Sequence, residues 1–279
     1  MSDKIYQLVT ERILVLLERG VVPWEKPWRS GRAVNWKTQK PYRGINTILL
    51  EPGEYATFKQ VREAGGSVKK GEKGWPIVFW TFLEREREEQ EPEKIPFLRH
   101  YTVFEINRQC EGLRSKRGHS EEGLEPFCPL ETAEQVVSGY EGGPRIKHAP
   151  GRAFYRPSAD FISVPKPEDF FSAEKYYSTL FHEMVHSTGH ENRLNRPGIV
   201  NSDLFGGESY SKEELVAELG AAMLSGVAGI ESSTIENSAA YIAGWMRAIK
   251  DDAKLIVQAA GLAQKAADHI LGVTFDREE

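Results

Sequence analysis

Hydrophobic residues recur with a helical period near both ends of the chain. An apolar stripe with a spacing of 3.6 residues runs through residues 3–20, and the same spacing returns in residues 211–224, in 240–249 and from residue 252 onward. These stripes predict amphipathic helices, one at the N-terminus and three in the last third of the chain. The last two consist largely of small and apolar residues, so we expect them to pack in a helical bundle.

Short apolar runs predict strands in the middle of the chain. Residues 75–83 and 97–106 form two runs in the front half, and the charged residues 84–94 between them predict a solvent-exposed excursion. Residues 57–64 predict a short helix. Three further strands are predicted at residues 146–149, 152–155 and 161–164. We therefore predict an α+β protein with a mostly helical rear half.

The net charge of −5 conceals opposite balances in the two halves of the chain. Residues 1–117 contain 22 Lys and Arg against 16 Asp and Glu, which is +6, whereas residues 118–279 contain 14 against 25, which is −11. The segment 26–73 alone has 11 basic and 4 acidic residues. A basic front half is suited to a polyanion, whereas the rear half taken alone would repel one.

Residues 114–128 have the composition of a linker. We predict a small front domain at residues 1–117, a linker at 118–129 and a rear domain at 130–279. No stretch approaches the roughly 18 apolar residues of a membrane span, so we expect no membrane partner. The N-terminus has no apolar signal core, and two cysteines are too few for a disulfide framework, so we expect a cytoplasmic protein.

Aromatic rings alternate with cations in the predicted front domain. Single-stranded nucleic acid is held by cations along its backbone and by rings that stack on its bases. The candidate DNA-binding residues are Trp24, Lys26, Trp28, Trp36, Lys40, Tyr42, Arg43, Lys69, Lys70 and Lys73. The alternative is that the rings form the core of this domain and the lysines its solvated surface, and composition does not separate the two interpretations.

Three of the seven histidines lie within nine residues, at positions 182, 186 and 190. His182 and His186 are four residues apart, so on a helix they share one face and can bind one ion. Glu183, beside the first ligand, can accept a proton from a metal-bound water, which is the chemistry of a His-Glu-x-x-His motif. Ser172 is a plausible N-cap for this helix. The motif predicts a Zn²⁺ site, although another divalent metal could occupy it.

A catalytic zinc ion takes a third protein ligand. The position ten residues after His182 would supply it in one class of zinc peptidase, but that residue is Asn192. We predict Glu214 as the third ligand, with Glu218 one turn later holding the distal nitrogen of a histidine. The alternative is that Ser211 and Glu214 form a capping box and Glu218 binds the metal. Tyr155 and Tyr210 are candidate oxyanion stabilisers.

These motifs together resemble a known family, the ArdC-type antirestriction proteins of conjugative plasmids and other mobile elements. The front half is also similar to the N-terminal domain of TraC-type plasmid primases. The resemblance covers nearly the whole chain in order. The matching stretches are residues 23–28, 42–46, 57–60, 65–74, 103–104, 109–113, 177–190, 193–194, 213–219 and 264–266.

The resemblance implies a front domain that binds single-stranded DNA and a rear zincin-like metallopeptidase domain. It implies that the protein protects incoming plasmid DNA from restriction in the recipient cell. The zinc ligands of the family carry onto His182, His186 and Glu214, and the catalytic base onto Glu183. An alternative function is a zinc protease that cleaves a host protein, still unidentified, and uses the basic domain only for localisation. A third is a DNA-coating protein with a structural metal.

Overall fold

A four-stranded mixed sheet forms the centre of the front half. The structure is a computed structural model and describes residues 2–19, 22–24, 33–87, 90–116, 129–200, 208–230 and 239–273. The elements of the front half are α1 (Ser2–Glu18), β1 (Ala33–Asn35), α2 (Ile45–Leu49), β2 (Gly53–Thr57), α3 (Phe58–Glu63), β3 (Ser67–Val68), β4 (Trp75–Arg87), β5 (Gln90–Glu105), α4 (Ile106–Gln109) and β6 (Cys110–Glu111). The strand order of the sheet is β1-β2-β5-β4; β1 and β2 are parallel, and the other neighbours are antiparallel. Strands β3 and β6 form a separate antiparallel pair.

The hairpin of β4 and β5 is longer than the sequence predicts. The charged residues 84–94 were expected to leave the sheet, but the ladder continues through them, with Glu84 opposite Lys94 and Arg85 opposite Glu93. Strand pairing is made by backbone groups, so a polar stretch can extend a hairpin that an apolar stretch has begun. The prediction of an excursion is therefore wrong for the described part of this segment.

A three-stranded sheet and a set of packed helices form the rear half. Its elements are α5 (Pro129–Ser138), β7 (Arg145–His148), β8 (Phe154–Arg156), β9 (Phe161–Val164), α6 (Ala173–Ser187), α7 (Pro197–Val200), α8 (Glu208–Ala228), α9 (Ala239–Asp251) and α10 (Leu255–Ile270). The sheet order is β7-β9-β8, with β7 parallel and β8 antiparallel to β9. The α+β class is confirmed, and the helices and strands predicted for the rear half are present. Among the described helices, none is both long enough and apolar enough to cross a lipid bilayer.

One hydrophobic core extends through both halves. Ile13 of α1 and Leu98 of β5 are fully buried in the same cluster as Phe181 of α6 and Leu215 of α8. Two smaller clusters line the sheet and the α3–α4 region of the front half. The apolar face of α1 thus packs in a core that contains residues of both halves.

Polar contacts also join the two halves. The Thr10 hydroxyl donates to the Ala253 carbonyl at 2.8 Å, and the Gly44 N–H donates to the Gln264 side chain at 2.9 Å. Arg43 forms an ion pair with Asp268 of α10. Residues 117–128 lie outside the described residues, so the domain boundaries at 117 and 130 stay a prediction.

The close contact between α6 and α8 generates the first testable prediction. A Cβ atom at Gly220 of α8 would lie 2.7 Å from Val185 Cγ2 and 2.9 Å from its Cγ1, whereas a Cβ at Gly244 of α9 meets nothing within 4 Å. Overpacking of this kind costs about 1–3 kcal/mol, so we expect Gly220→Ala to lower the melting temperature. Gly244→Ala is the matched control and should gain up to about 1 kcal/mol from helix propensity.

Thermal unfolding followed by circular dichroism measures both variants. Equal melting temperatures for Gly220→Ala and the wild-type protein would show that the two helices can separate without cost, which contradicts the close contact.

Candidate metal centre and nucleic-acid surface

Helix α6 presents the three motif residues on the inside of the rear half. The Ser172 hydroxyl accepts a hydrogen bond from the Lys175 N–H at 3.3 Å, which confirms the predicted N-cap. His182, Glu183 and His186 lie in the last turns of the helix and are 5 to 7 % exposed. Buried ionisable groups need partners.

Helix α8 supplies carboxylates to these histidines. It packs on α6 through the Gly220–Val185 contact, and Glu214 lies two turns before that contact. One Glu214 oxygen is 3.4 Å from His182 Nε2, and the other is 3.4 Å from His186 Nε2. The two Nε2 atoms are 3.0 Å apart. Donor atoms of the three residues thus converge within 4.8 Å of one another.

These separations match the dimensions of a tetrahedral metal site. Ligand atoms about 2.0–2.1 Å from a zinc ion and arranged tetrahedrally lie about 3.3 Å from each other. The separations of 3.0, 3.4 and 3.4 Å are close to that value, and the last two are measured from different oxygens of Glu214. Within the described residues, His182, His186 and Glu214 form a group of histidine and acidic side chains whose spacing suits a metal ion.

The beginning of α8 bears on the alternative role of Glu214. The helix begins at Glu208, so Ser211 lies inside its first turn and not at the N-cap position. The capping-box interpretation of Ser211 and Glu214 is therefore wrong. Glu218 is 4 % exposed, and its Oε1 lies 3.7 Å from His182 Nδ1, on the side of the ring away from Glu214. The arrangement suits Glu214 as ligand and Glu218 as the group that orients His182.

Glu213 and Arg196 complete this network and were not predicted from the sequence. Glu213 Oε1 lies 3.4 Å from His186 Nδ1, and the Arg196 guanidinium donates to both Glu213 oxygens at 2.6 to 3.2 Å. Arg196 also donates to the Val185 carbonyl and the Thr188 hydroxyl at 2.7 and 2.6 Å. The two partners are 17 residues apart, and no spacing rule connects a loop arginine with a particular helix glutamate.

The carboxylates set the charge state of the buried histidines. Burial alone would lower the pKa of His186, but hydrogen bonds to Glu213 and Glu214 outweigh it and raise the pKa to about 10. Burial opposes ionisation of Glu214, yet its hydrogen bonds with His182 and His186 hold its pKa well below the usual range. A hydrogen bond at 3.0 Å between the two Nε2 atoms requires a proton on one of them. A bound cation would take the place of that proton.

Two other predicted residues of the rear half have structural partners. The Tyr155 hydroxyl donates to Asp160 at 2.7 Å and accepts from Arg193 at 3.1 Å, which ties it to the corner between β8 and β9. His190 Nδ1 accepts the Asn192 N–H at 3.2 Å and anchors the turn after α6. The Tyr210 side chain lies outside the described residues.

The structure corrects the assignment of two front-half rings to DNA. Trp24 is 1 % exposed in the main core, and Tyr42 is 6 % exposed in the core of the sheet, so neither ring can stack on a base in this conformation. Trp36 is half-buried; its indole N–H donates to the Arg114 carbonyl at 2.8 Å, and Lys116 Nζ lies 4.6 Å from its ring. The core interpretation, left open by composition, holds for Trp24 and Tyr42.

The candidate cations differ in their surroundings. Arg43 pairs with Asp268, and Lys69 Nζ donates to the Arg108 carbonyl at 2.8 Å. Lys40, Lys70 and Lys73 are exposed and stay predicted phosphate contacts. Lys26 and Trp28 lie outside the described residues.

Two exposed rings on the front sheet were missed by the sequence analysis. Phe79 of β4 and Tyr101 of β5 are each 44 % exposed, and their ring centroids are 6.0 Å apart. Exposed Arg99 is the register partner of Phe79. Both rings lie in strands that also contain buried apolar residues, such as Val78 and Leu98, and the sequence has no signal that separates an exposed strand aromatic from a buried one.

Solved structures share this fold over nearly the entire chain. The metal-free crystal structure of the antirestriction ArdC protein from the R388 plasmid is 38% identical, covers 95% of this chain and 96% of its own, and superposes with a TM-score of 0.73. The Mn(II)-bound structure of that protein is 37% identical, covers 96% and 97%, and gives a TM-score of 0.75. The chain belongs to the ArdC antirestriction family.

Sequence comparisons extend this assignment. The N-terminal domain of the anti-restriction factor ArdC matches residues 3–104, and the zincin-like metallopeptidase family matches residues 131–262. A DNA primase TraC of Escherichia coli is 36% identical over 97% of this ArdC-family chain, which spans 27% of that protein's length. An uncharacterized protein, y4eC, of Sinorhizobium fredii is 32% identical over 95% of this chain and 90% of its own.

The geometry of the metal centre predicts different effects for substitutions of Glu214 and Glu218. Glu214→Ala removes a donor atom, so we expect the purified protein to retain no tightly bound metal. Glu218→Ala removes only the group that orients His182 and should lower the affinity about 10–100-fold while the stoichiometry stays at one. Exposed Glu131 of α5 gives the control Glu131→Ala, which should bind as the wild type does.

Isothermal titration with Zn²⁺ and with Mn²⁺, with elemental analysis after dialysis, measures these effects. Loss of stoichiometric binding in Glu218→Ala together with its retention in Glu214→Ala would exchange the two roles.

Proposed function

We propose that this chain is an antirestriction protein that binds single-stranded DNA through its front half and holds a divalent metal ion in a peptidase-type centre of its rear half. The observation that carries the proposal is the convergence of His182, His186 and Glu214 at separations that suit one tetrahedral ion. Two imidazoles and one carboxylate favour zinc. The Mn(II)-bound structure of the R388 relative supports a divalent ion in this chain.

The residues around His182, His186 and Glu214 also suit a bound metal ion. His182 and His186 each have a carboxylate beside Nδ1, from Glu218 and Glu213, which turns each Nε2 toward the common point. Arg196 balances the charge of Glu213. A metal bound at this point would lower the pKa of a water molecule and polarise a peptide carbonyl.

The remaining step of peptide hydrolysis requires a proton carrier, and we assign that role to Glu183. This residue follows His182 directly on α6 and is 6 % exposed. It would accept the proton of the attacking water and return it to the nitrogen of the departing amine, so that the peptide C–N bond breaks without a charged leaving group. These are the roles that the motif assigns to Glu183 in a zincin-like peptidase.

For DNA, we propose a contact surface centred on the two exposed rings of the front sheet. Phe79 and Tyr101 offer two adjacent rings for stacking, and exposed Arg99 lies beside them. The exposed lysines at positions 40, 70 and 73 would add contacts to phosphates. The free thiol of buried Cys110 fits the reducing cytoplasm, where incoming DNA meets restriction enzymes.

Substitution of Glu183 tests the peptidase part of the proposal. Glu183→Gln should reduce cleavage of fluorescently labelled denatured casein by about 10²–10⁴-fold because the general base is lost, while zinc content stays at one equivalent. Glu191→Gln, an exposed glutamate in the following turn, is the control. Cleavage that survives Glu183→Gln unchanged would refute the assignment.

The same variant separates the functional alternatives in a plasmid-transfer assay with a restricting recipient. If Glu183→Gln binds DNA and no longer protects the plasmid, protection requires proteolysis. If it still protects, protection rests on DNA binding, and the metal centre serves another purpose.

Substitution of the exposed rings tests the DNA part. Stacking on one aromatic ring is worth about 1–3 kcal/mol, so Phe79→Ala and Tyr101→Ala should each weaken binding of an oligo-dT strand by about 5–150-fold. Phe171→Ala removes an almost fully exposed ring of the rear half and should leave the affinity unchanged. Fluorescence anisotropy at fixed salt measures all three, and equal affinities for them would place the DNA elsewhere.

A further inference from the structure

The outward face of the rear sheet carries cations and aromatic rings in a regular array. The register aligns Arg145 of β7, Phe161 of β9 and Arg156 of β8 in one row across the three strands. In the next row, Lys147 of β7 lies beside Ser163 of β9, which is paired with Phe154 of β8. Side chains two residues apart on a strand lie on the same face, so all of these belong to one surface. We call this surface, made of Arg145, Lys147, Phe154, Arg156 and Phe161, the rear platform.

The opposite face of the same sheet is core. Ile162 and Val164 of β9 are fully buried in the main cluster, and Ile146 and Tyr155 pack against it. The rear platform therefore faces away from α6 and the metal centre. Its three cations are exposed, so nothing in the described chain covers them.

The charge of the rear platform is opposite to that of the half that carries it. Residues 118–279 have a balance of −11, yet residues 142–159 contain four of the 14 cations of that half and no acidic residue. Within the described chain, the salt bridges of the rear half involve other cations, such as Arg193 with Asp160 and Arg196 with Glu213. A concentrated, uncompensated positive face on an acidic domain provides charge complementarity to a polyanion.

The rings hold these cations in place. Lys147 Nζ lies 4.3 Å from the centre of the Phe161 ring, and Arg156 Cζ lies 5.3 and 5.6 Å from the rings of Phe154 and Phe161. The rings meet edge to face at 6.0 Å. Cation–π contacts reduce the conformational freedom of the long side chains without neutralising them. An ordered cation loses less entropy when it binds a phosphate than a mobile one does.

We propose that the rear platform is a second contact surface for single-stranded nucleic acid. Arg145, Lys147 and Arg156 would bind phosphates, and the Arg156 guanidinium and the Phe154 ring would give planar surfaces for bases. The bases of a duplex are already paired and stacked on one another, so rings that offer stacking surfaces favour a single strand. The rings favour nucleic acid over an acidic protein segment, because binding of acidic side chains requires only cations, whereas bases also stack on rings.

The salt dependence of DNA binding by the full chain tests this proposal. For single strands, the slope of log K against log salt changes by about 0.7 for each phosphate contact, so a triple substitution of Arg145, Lys147 and Arg156 by Gln should make the slope about 2 units less steep. The matched control replaces three exposed cations of α9 and α10, namely Arg247, Lys250 and Lys265, by Gln. It changes the net charge equally and should leave the slope within about 0.5 unit of the wild type. Oligo-dT is the probe, and the melting temperature of each variant verifies that it is folded.

Each outcome has a distinct meaning. A shallower slope in the platform variant alone supports the proposal, and an equal change in both variants overturns it, because only the net charge would then matter. An unchanged slope in the platform variant also overturns it, even though front-half binding would persist. The proposal rests on DNA binding by the chain, and wild-type protein that does not bind oligo-dT would refute the proposed function itself. Binding of labelled poly-glutamate to the wild type but not to the platform variant, with an unchanged DNA slope, would assign the surface to an acidic protein instead.

Discussion

The contact between α6 and α8 is the constraint on which the rest of the rear half depends. Gly220 has no side chain, so the backbone of α8 can approach Val185 closely. That approach brings Glu214 to 3.4 Å from both histidines and sets Glu218 behind His182. A methyl group at this point would separate the helices, and the donor atoms would no longer lie at the spacing of one ion.

Burial of His186, Glu213 and Glu214 is possible because each has a partner of opposite charge. His186 lies between Glu213 and Glu214, and Arg196 neutralises Glu213 from the other side. Unpaired charges in such a place would cost several kcal/mol each. Arg196 also holds the turn after α6 through Val185 and Thr188, so the network that balances charge also fixes the end of the metal helix.

The surfaces proposed to bind DNA are joined to the metal centre through a shared hydrophobic core. Helix α1 contributes to a core shared by the front sheet and the rear helices, and Arg43 ties the front half to α10 through Asp268. The exposed rings Phe79 and Tyr101 and the rear platform therefore have fixed positions relative to the metal site. A strand that contacts both halves would find its contacts already arranged, which lowers the entropic cost of binding.

The sequence alone determined the local chemistry of this protein. Periodicity predicted the helices, the four-residue spacing put His182 and His186 on one face, and the order of motifs indicated the family. Local spacing cannot show which side chains meet across elements, because that depends on how helices and strands pack. Only the tertiary structure excluded the cap role of Glu214, paired Glu213 with Arg196, buried Trp24 and Tyr42, and exposed Phe79 and Tyr101. It also placed Arg145, Lys147 and Arg156 on one face of a sheet, because the pairing of three short strands aligned them in neighbouring rows.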